Sequence, residues 1–403
     1  MLHCDGVALS EAAERHGTPL YVYSRAKLEE SYARYARAFA SVQHRICYAI
    51  KANGSGALLR ILAGLGSWAD IVSGMELRAA VRAGFAPDRI VFSGVGKTEP
   101  EIRLALEHGI AAFNAESEEE IERLSAAATA AGRMASLALR VNPDIDPRSH
   151  PYISTGLREA KFGVDIRLAA GILRRARERA GVEVVGVQCH IGSQITDLEP
   201  LASAARALGD LSRQLLDEGF PLRTIDLGGG LGVSYDGRSV PEASALAAAV
   251  LPAVSKLPLQ LVLEPGRSLV AGSGALLTRV LYVKDGHQKT FVVVDAGMND
   301  LLRPALYGAF HRVEPVRPRG GPPELVDVVG PVCESSDFLA RGRELERPEP
   351  GDLLAVRDAG AYGFSMSSTY NMRPRAAEVL VEEGRVRLIR RRETFDDLVR
   401  TEV

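Results

Sequence analysis

From residue 44 onward, short apolar runs alternate with longer segments in which apolar residues return every three or four positions. The runs are RICYAIKA, WADIVSG, RIVFSG, IAAFNAE, ASLALRVNP, VEVVGVQCHIG, RTIDLGGG and LQLVLEPGR, eight in all. Each is short and ends in turn-forming or polar residues, the pattern of a buried strand. Intervening segments such as EEEIERLSAAATAAG and EPLASAARALGDLSRQLLDEG carry the period of an amphipathic helix. Eight strand-helix units over roughly 230 residues is the arithmetic of a (β/α)8, TIM-like barrel. A doubly wound open sheet is the weaker alternative, because no dinucleotide fingerprint follows the first strand.

Beyond Gly272 the pattern changes. ALLTRVLYVKDGHQKTFVVVDAG holds two strand-like runs around an Asp-Gly turn, DLLAVRDAGAYG is another strand candidate, and AEVLVEEGRVRLIRRRE reads as a second hairpin. Long helical patterns are missing, so this half is expected to be a separate, mainly β domain. The opening GTPLYVYS is also strand-like and precedes a helix candidate over 24–40. The expected organisation is therefore a barrel over 25–271 and a β domain over 272–403, joined by the strand within 1–24. The proline- and glycine-rich stretch 313–325 reads as an internal loop, since strand patterns flank it.

Composition narrows the function classes. At 403 residues the chain exceeds one ordinary core, and 46% hydrophobic with 25% charged residues is a globular balance. A formal net charge of -2 gives no reason to expect nucleic acid or a membrane surface as partner. A small molecule is the natural one. The four cysteines, Cys4, Cys47, Cys189 and Cys333, form no CxxC pair, which argues against a metal site or a disulfide framework and suits a reducing cytoplasm. The N-terminus lacks the apolar core of a signal peptide.

Candidate chemistry gathers where barrels keep it, at the C-terminal ends of strands. The first run ends in Lys51, the sixth in CHIGS with His190 and Ser193, and the last two in GGG (228–230) and EPGR (264–267). Of 49 basic residues only seven are lysines, so a lysine at a strand mouth is informative, although such a side chain also snorkels readily to solvent. Glycines after the seventh strand match the place where barrels bind phosphate through backbone N–H groups. Read singly, each feature also has a structural explanation: a tight turn for the glycines, a core histidine for His190, a cap for Glu264 and an ion pair for Arg267. Together a lysine, a phosphate turn, an imidazole and a carboxylate are what pyridoxal 5'-phosphate requires. Lysine forms a Schiff base with the aldehyde, and Glu264 would keep the pyridine nitrogen protonated. Two lookalikes fall away: SGVGKTE (93–99) lacks the first P-loop glycine, which is Val91, and GGGLGV ends G-x-G-x-x-G with Val233.

YAIKAN, CHIGSQ, DLGGGLG, EPGR, RPALYGAFH, GPVCESSD and DAGAYGFSMSSTYN resemble, in order, the motif series of the diaminopimelate decarboxylases, within the alanine racemase-like and ornithine decarboxylase-like group of pyridoxal-phosphate enzymes. The likeness covers nearly the whole chain. It implies a pyridoxal-phosphate barrel with a β domain, a cytoplasmic homodimer with shared active sites, and decarboxylation of meso-2,6-diaminopimelate to L-lysine. Residue by residue it implies Lys51 as Schiff-base lysine, His190 stacked on the cofactor, and Ser193 with Gly228, Gly229 and Gly230 at the phosphate. Glu264 would face the ring nitrogen, with Gly266 and Arg267 of the same turn beside the cofactor. Arg267, Arg303 and Tyr307 would hold substrate, and Tyr362 would touch cofactor and substrate. Cys333 and Glu334 would serve the partner subunit's site as proton donor and amine ligand.

Two positions depart from the family pattern: Met75 stands where a second glycine is usual, and Gln188 where a histidine is common. The distal carboxylate that separates diaminopimelate from lysine suits a guanidinium fork, which Arg267 and Arg303 supply. Arg303 beside Pro304 would also serve as a plain loop cap. Three alternatives stand beside this expectation: a decarboxylase for another amino acid or a siderophore or antibiotic intermediate, a non-catalytic regulator, and a racemase. A regulator would be expected to have lost the lysine, the glycine turn or the cysteine. A racemase needs a tyrosine where CESSD stands.

Overall fold

The computed structural model describes residues 1–147, 150, 155–156, 161–286 and 289–403. They form two compact units, one of residues 31–233 and 240–268, the other of residues 1–30, 234–239 and 269–403.

In the first unit all eight apolar runs are strands. They are β1 (His44–Ala49), β2 (Trp68–Ile71), β3 (Ile90–Phe92), β4 (Ala112–Ala115), β5 (Ala135–Asn142), β6 (Val182–Gln188), β7 (Thr224–Asp226) and β8 (Gln260–Leu263). Each pairs in parallel with the next, and β8 returns to β1 with Leu261 opposite His44 and Leu263 opposite Ile46, closing the barrel. Buried residues run consecutively through the ends of these strands because both faces are covered, one by helices and one by the barrel interior. Helices begin where the sequence supplies a cap: Ser73 Oγ accepts the Glu76 N–H, Ser117 Oγ accepts that of Glu120, and Thr98 with Glu101 forms a capping box. They stop at Gly84 and Gly109, whose left-handed backbone favours glycine.

The second unit is the mainly β domain. Its sheet runs in the order Phe338–Glu346, Pro323–Val329, Thr290–Val294, Gly274–Asp285, Leu20–Ser24, Ala377–Glu382, Arg385–Arg390. The amino-terminal strand Leu20–Ser24 is inserted between partners from the far end of the chain, antiparallel to Gly274–Asp285 and parallel to Ala377–Glu382. Leu20, Val22, Leu277, Ala355, Val379 and Val381 pack beneath it as a core. The expected loop over 313–325 is shorter than its composition suggests. Val313–Pro315 pairs with Leu353–Val356, and Pro323 already opens the strand to Val329. Pro323 tolerates that position because it is the first residue of its strand. The turn after Asp285 falls in part on residues 287–288, outside the described residues.

Candidate active site

The C-terminal rim of the barrel collects its chemistry from distant positions. Lys51 sits in a single 3-10 turn, Ile50–Ala52, directly after β1. Its Nζ lies 3.5 Å from Oδ2 of Asp70, a carboxylate on β2 that is 1% exposed. Across the barrel, Glu264 follows β8 and is 5% exposed. Asn114 Nδ2 donates to its Oε1 at 3.1 Å and Gln188 Nε2 to its Oε2 at 2.9 Å, with Ser93 Oγ 3.5 Å from Oε1. Asp226 at the end of β7 is hydrogen-bonded to Glu264 as well. Burial first, then the neighbouring Asp226 and Asp70, pushes the Glu264 carboxyl well above its ordinary range, while Lys51 pulls it back. Burial also pushes Asp226 up to about 7.

The glycine turn owes its shape to crowding. Gly228 and Gly230 have positive φ of 64° and 116°. A Cβ on Gly229 would collide with the Glu264 carbonyl, and one on Gly230 would stand 2.6 Å from the Gly192 oxygen. The three N–H groups are not equivalent. That of Gly228 goes to Asp226 Oδ1 at 2.8 Å, and that of Gly229 to His190 Nδ1 at 3.1 Å. The Gly230 N–H has no partner among the described residues and is the one left for a ligand. Because His190 accepts through Nδ1, its ring carries the proton on Nε2. Burial, with Lys51 and Arg140 nearby, holds its pKa well below the usual histidine value, so the ring is neutral. Ser193 Oγ accepts from Arg267 Nη2 at 3.0 Å. Arg267 is 6% exposed, so it is no surface ion pair.

Two buried acceptors at this rim, Asp70 Oδ1 and Gln188 Oε1, have no hydrogen-bond partner among the described residues. Buried polar atoms are rarely left so. The donor set fits a phosphorylated pyridine aldehyde: an amine at Lys51, a flat neutral ring at His190, a carboxylate at Glu264, and a close-packed glycine turn with a spare N–H.

The β unit holds the other expected residues. Arg303 opens the short helix Arg303–Tyr307 and is 4% exposed, with its guanidinium 4.4 Å from the Tyr235 ring centroid. Tyr307, at the end of that helix, is half-buried. Cys333 and Glu334 are exposed in the loop before Phe338–Glu346. Asn371 Oδ1 accepts the Cys333 N–H at 2.7 Å, and the Tyr370 hydroxyl lies 3.3 Å from Glu334 Oε2. Buried Asp337 clasps the base of this loop, accepting the N–H groups of Val332 and Met298, each at 2.6 Å. Tyr362 is half-buried with φ of 55°, an uncommon backbone for a bulky side chain.

Reading motifs along the chain missed Asp70, Asn114, Asp226 and Asp337. For the first three the signal was present: WADIV, AFNA and TIDL each hide an acid or amide among apolar strand residues, where only a polar partner makes burial tolerable. The P-loop lookalike proves structural. Lys97 Nζ donates to the carbonyls of Gly94 and Asn114, both at 2.8 Å, and to Glu120 Oε1 at 2.7 Å. Of the two departures, Gln188 is bonded to Glu264, whereas Met75 is 69% exposed and changes little packing.

Comparison with known proteins agrees with this geometry. Residues 25–271 match the model of the pyridoxal-dependent decarboxylase pyridoxal-binding domain. The chain is 53% identical to diaminopimelate decarboxylase of Pseudomonas aeruginosa, over 98% of its own length and 95% of that protein's. It superposes on diaminopimelate decarboxylase from Helicobacter pylori, solved in complex with L-lysine, with a TM-score of 0.94 at 45% identity and 98% coverage of both chains. The lysine/ornithine decarboxylase of Vibrio vulnificus shares the fold, with a TM-score of 0.82 at 23% identity over 93% of this chain and 96% of that one.

Proposed function

The chain belongs to the diaminopimelate decarboxylases, a family of pyridoxal-dependent decarboxylases, and from that premise we propose how its own residues perform the reaction. It is a pyridoxal-phosphate carboxy-lyase that converts meso-2,6-diaminopimelate to L-lysine and carbon dioxide, the last step of lysine biosynthesis. Residues 25–271 form the cofactor domain in this reading, and 272–403 with 1–24 the β domain.

When bound, the cofactor supplies an electron sink for the pair of electrons left as the carboxylate departs. Lys51 would be its covalent anchor and, with its amine beside Asp70, would also serve as a nearby base. His190 would stack on the cofactor ring, and its neutrality would avoid placing a second cation beside the pyridine nitrogen. Gly230 and Gly266, with Ser193 and Arg267, hold the phosphate. Glu264 balances the ring nitrogen's charge, and its own charge is steadied by the amide donors of Asn114 and Gln188.

Arg303, backed by Tyr307, grips the distal carboxylate, the group that distinguishes this substrate from lysine or ornithine. Tyr362 would lie against cofactor and substrate. Cys333 returns a proton from Sγ to the carbon that lost carbon dioxide, and Glu334 holds the distal ammonium. The reading makes the active unit a cytoplasmic homodimer in which Cys333 and Glu334 reach the partner subunit's site, a role their exposure suits.

The observation that carries the proposal is the lysine and the carboxylate on one rim: Lys51 beside Asp70 and Glu264 held by Gln188 and Asn114, above a turn only glycine can make. The deciding experiment incubates purified protein with meso-diaminopimelate, ornithine, lysine and carboxylated conjugates in parallel. Release of lysine and carbon dioxide from diaminopimelate alone is the expected result. Preferential turnover of any other amino acid overturns the substrate assignment.

A further inference from the structure

A cavity of about 80 Å3 lies inside the barrel, lined from every strand but β2. At its lower end stand Arg45, near the start of β1, and Arg223, just before β7. The Arg223 side chain is 53% exposed and paired with Glu183, so the cavity reaches solvent at the N-terminal face, opposite the rim that carries Lys51. At its upper end stand Asn114 and Asp226. Both are hydrogen-bonded to Glu264. The cavity lining mixes Arg45, Asn114, Arg223, Thr224 and Asp226 with alanines and valines, and a space of this size holds on the order of five waters.

We propose that Asp226 and Glu264 hold one proton between them and exchange it with solvent through this cavity, from the floor of the barrel rather than from the rim where substrate enters. The geometry leaves the pair little choice. Both carboxyls are buried, 3% and 5% exposed, and a third, Asp70, faces them. Carboxylates so placed cannot all ionise, and a hydrogen-bonded pair titrates as a unit. Lys51 and Arg140 are the cations facing the pair. The remaining titratable neighbours stay neutral: burial pushes the Cys47 thiol well up and that of Cys189 up to about 12, and it keeps His190 deprotonated. Upward shifts at both Asp226 and Glu264 agree with a retained proton.

Asp226 is in this view a positioning residue. It touches no substrate and acts through Glu264, setting that carboxyl's charge while its Oδ1 ties down the Gly228 N–H. The consequence is two separate proton routes. Cys333 serves the reacting carbon, and the barrel floor serves the acid that faces the ring nitrogen, so resetting one does not leak protons into the other. This purpose rests on the decarboxylase reading; the shared proton and its path belong to the chain.

The test uses full-length holoenzyme. Infrared spectra near pH 8 should contain a protonated-carboxyl band that Asp226→Asn deletes, and the same variant should move the midpoint of the bound cofactor's absorbance titration by about one pH unit or more. Absence of the band from wild-type protein, or an unmoved midpoint, overturns the shared proton. Ala138→Val narrows the cavity without touching either carboxyl. After a pH jump its absorbance should relax about tenfold more slowly, with the midpoint unchanged. An unaltered relaxation rate overturns the route. Should Asp226→Asn fail to fold, the wild-type band and the Ala138→Val relaxation decide the matter. No readout involves turnover, so a failure to release lysine would sink the decarboxylase reading and leave this one standing.

Discussion

Arg303 Nη1 donates to His311 Nε2 at 2.6 Å, and His311 Nδ1 lies 2.8 Å from the carbonyl of Arg357. A guanidinium has no acceptor, so the imidazole takes that bond through a lone pair and gives its single proton to the carbonyl. The histidine is thereby fixed neutral, and it orients the arginine without adding a charge of its own. Tyr235, 4.9 Å from the His311 ring centroid and edge-on to it, completes the cage.

Replacing Arg303 with lysine removes the fork while keeping the charge. KM for diaminopimelate should rise about tenfold to a hundredfold, with a smaller change in kcat. His311→Ala should produce a weaker version of the same split. Steady-state kinetics would reject the assignment if KM stayed put while kcat fell.

Lys51→Ala should eliminate covalent attachment and cut turnover by at least about a thousandfold. Borohydride treatment of wild-type holoenzyme should add the cofactor's mass to the peptide containing residue 51. An equal mass gain in the variant would place the anchor elsewhere.

For Cys333→Ala, cofactor absorbance should remain unchanged while turnover falls by about a hundredfold or more, and Cys333→Ser should recover part of it. Unaltered turnover would remove the thiol from the mechanism.

Gly229→Ala forces a side-chain carbon into the Glu264 carbonyl, so the turn must open. Equilibrium dialysis should show cofactor affinity reduced by about a hundredfold or more. Gly64 is the control, because a Cβ there meets nothing within 4 Å and the residue ends a helix. Gly64→Ala should bind cofactor normally and gain a few tenths of a kcal/mol. Equal behaviour of the two variants would refute the steric account.

Asp300 in the β unit is 1% exposed, and burial pushes its carboxyl up to about 7. An acid whose pKa rises on folding helps the folded state at low pH and costs stability as pH climbs from its ordinary value to the raised one. Asp300→Asn can still accept the Gly297 N–H that now reaches Oδ2 at 3.1 Å. Its stability relative to wild type should therefore be near zero at about pH 4 and grow to about 2–4 kcal/mol at about pH 8. Urea denaturation at both values reads the difference, and one independent of pH would contradict the burial argument.

Much of this was legible in the chain alone, because the signals are local. A short apolar run ending in turn residues favours a strand, and eight of them alternating with helical periods match the arithmetic of a barrel better than that of an open sheet. The lysine at the end of β1 and the glycines after β7 were marked by position within their own runs. Where the signal is compositional it misleads: proline and glycine argue for loop over all of 313–325, yet Val313–Pro315 is a strand and Pro323 opens another.

What the sequence determined by itself was therefore the number and order of elements and the chemistry offered at each strand's end. Tertiary structure decided which offers meet. Asn114 and Glu264 are 150 positions apart and Gln188 and Glu264 76, and no local period relates them. Closure of β8 onto β1 sets the stagger of the rim, and that stagger turns buried polar residues on β4, β6 and β7 from isolated costs into one cluster around Glu264. The reason is physical: a strand's pattern reports only burial, whereas the partner that makes a buried charge tolerable is chosen by the fold.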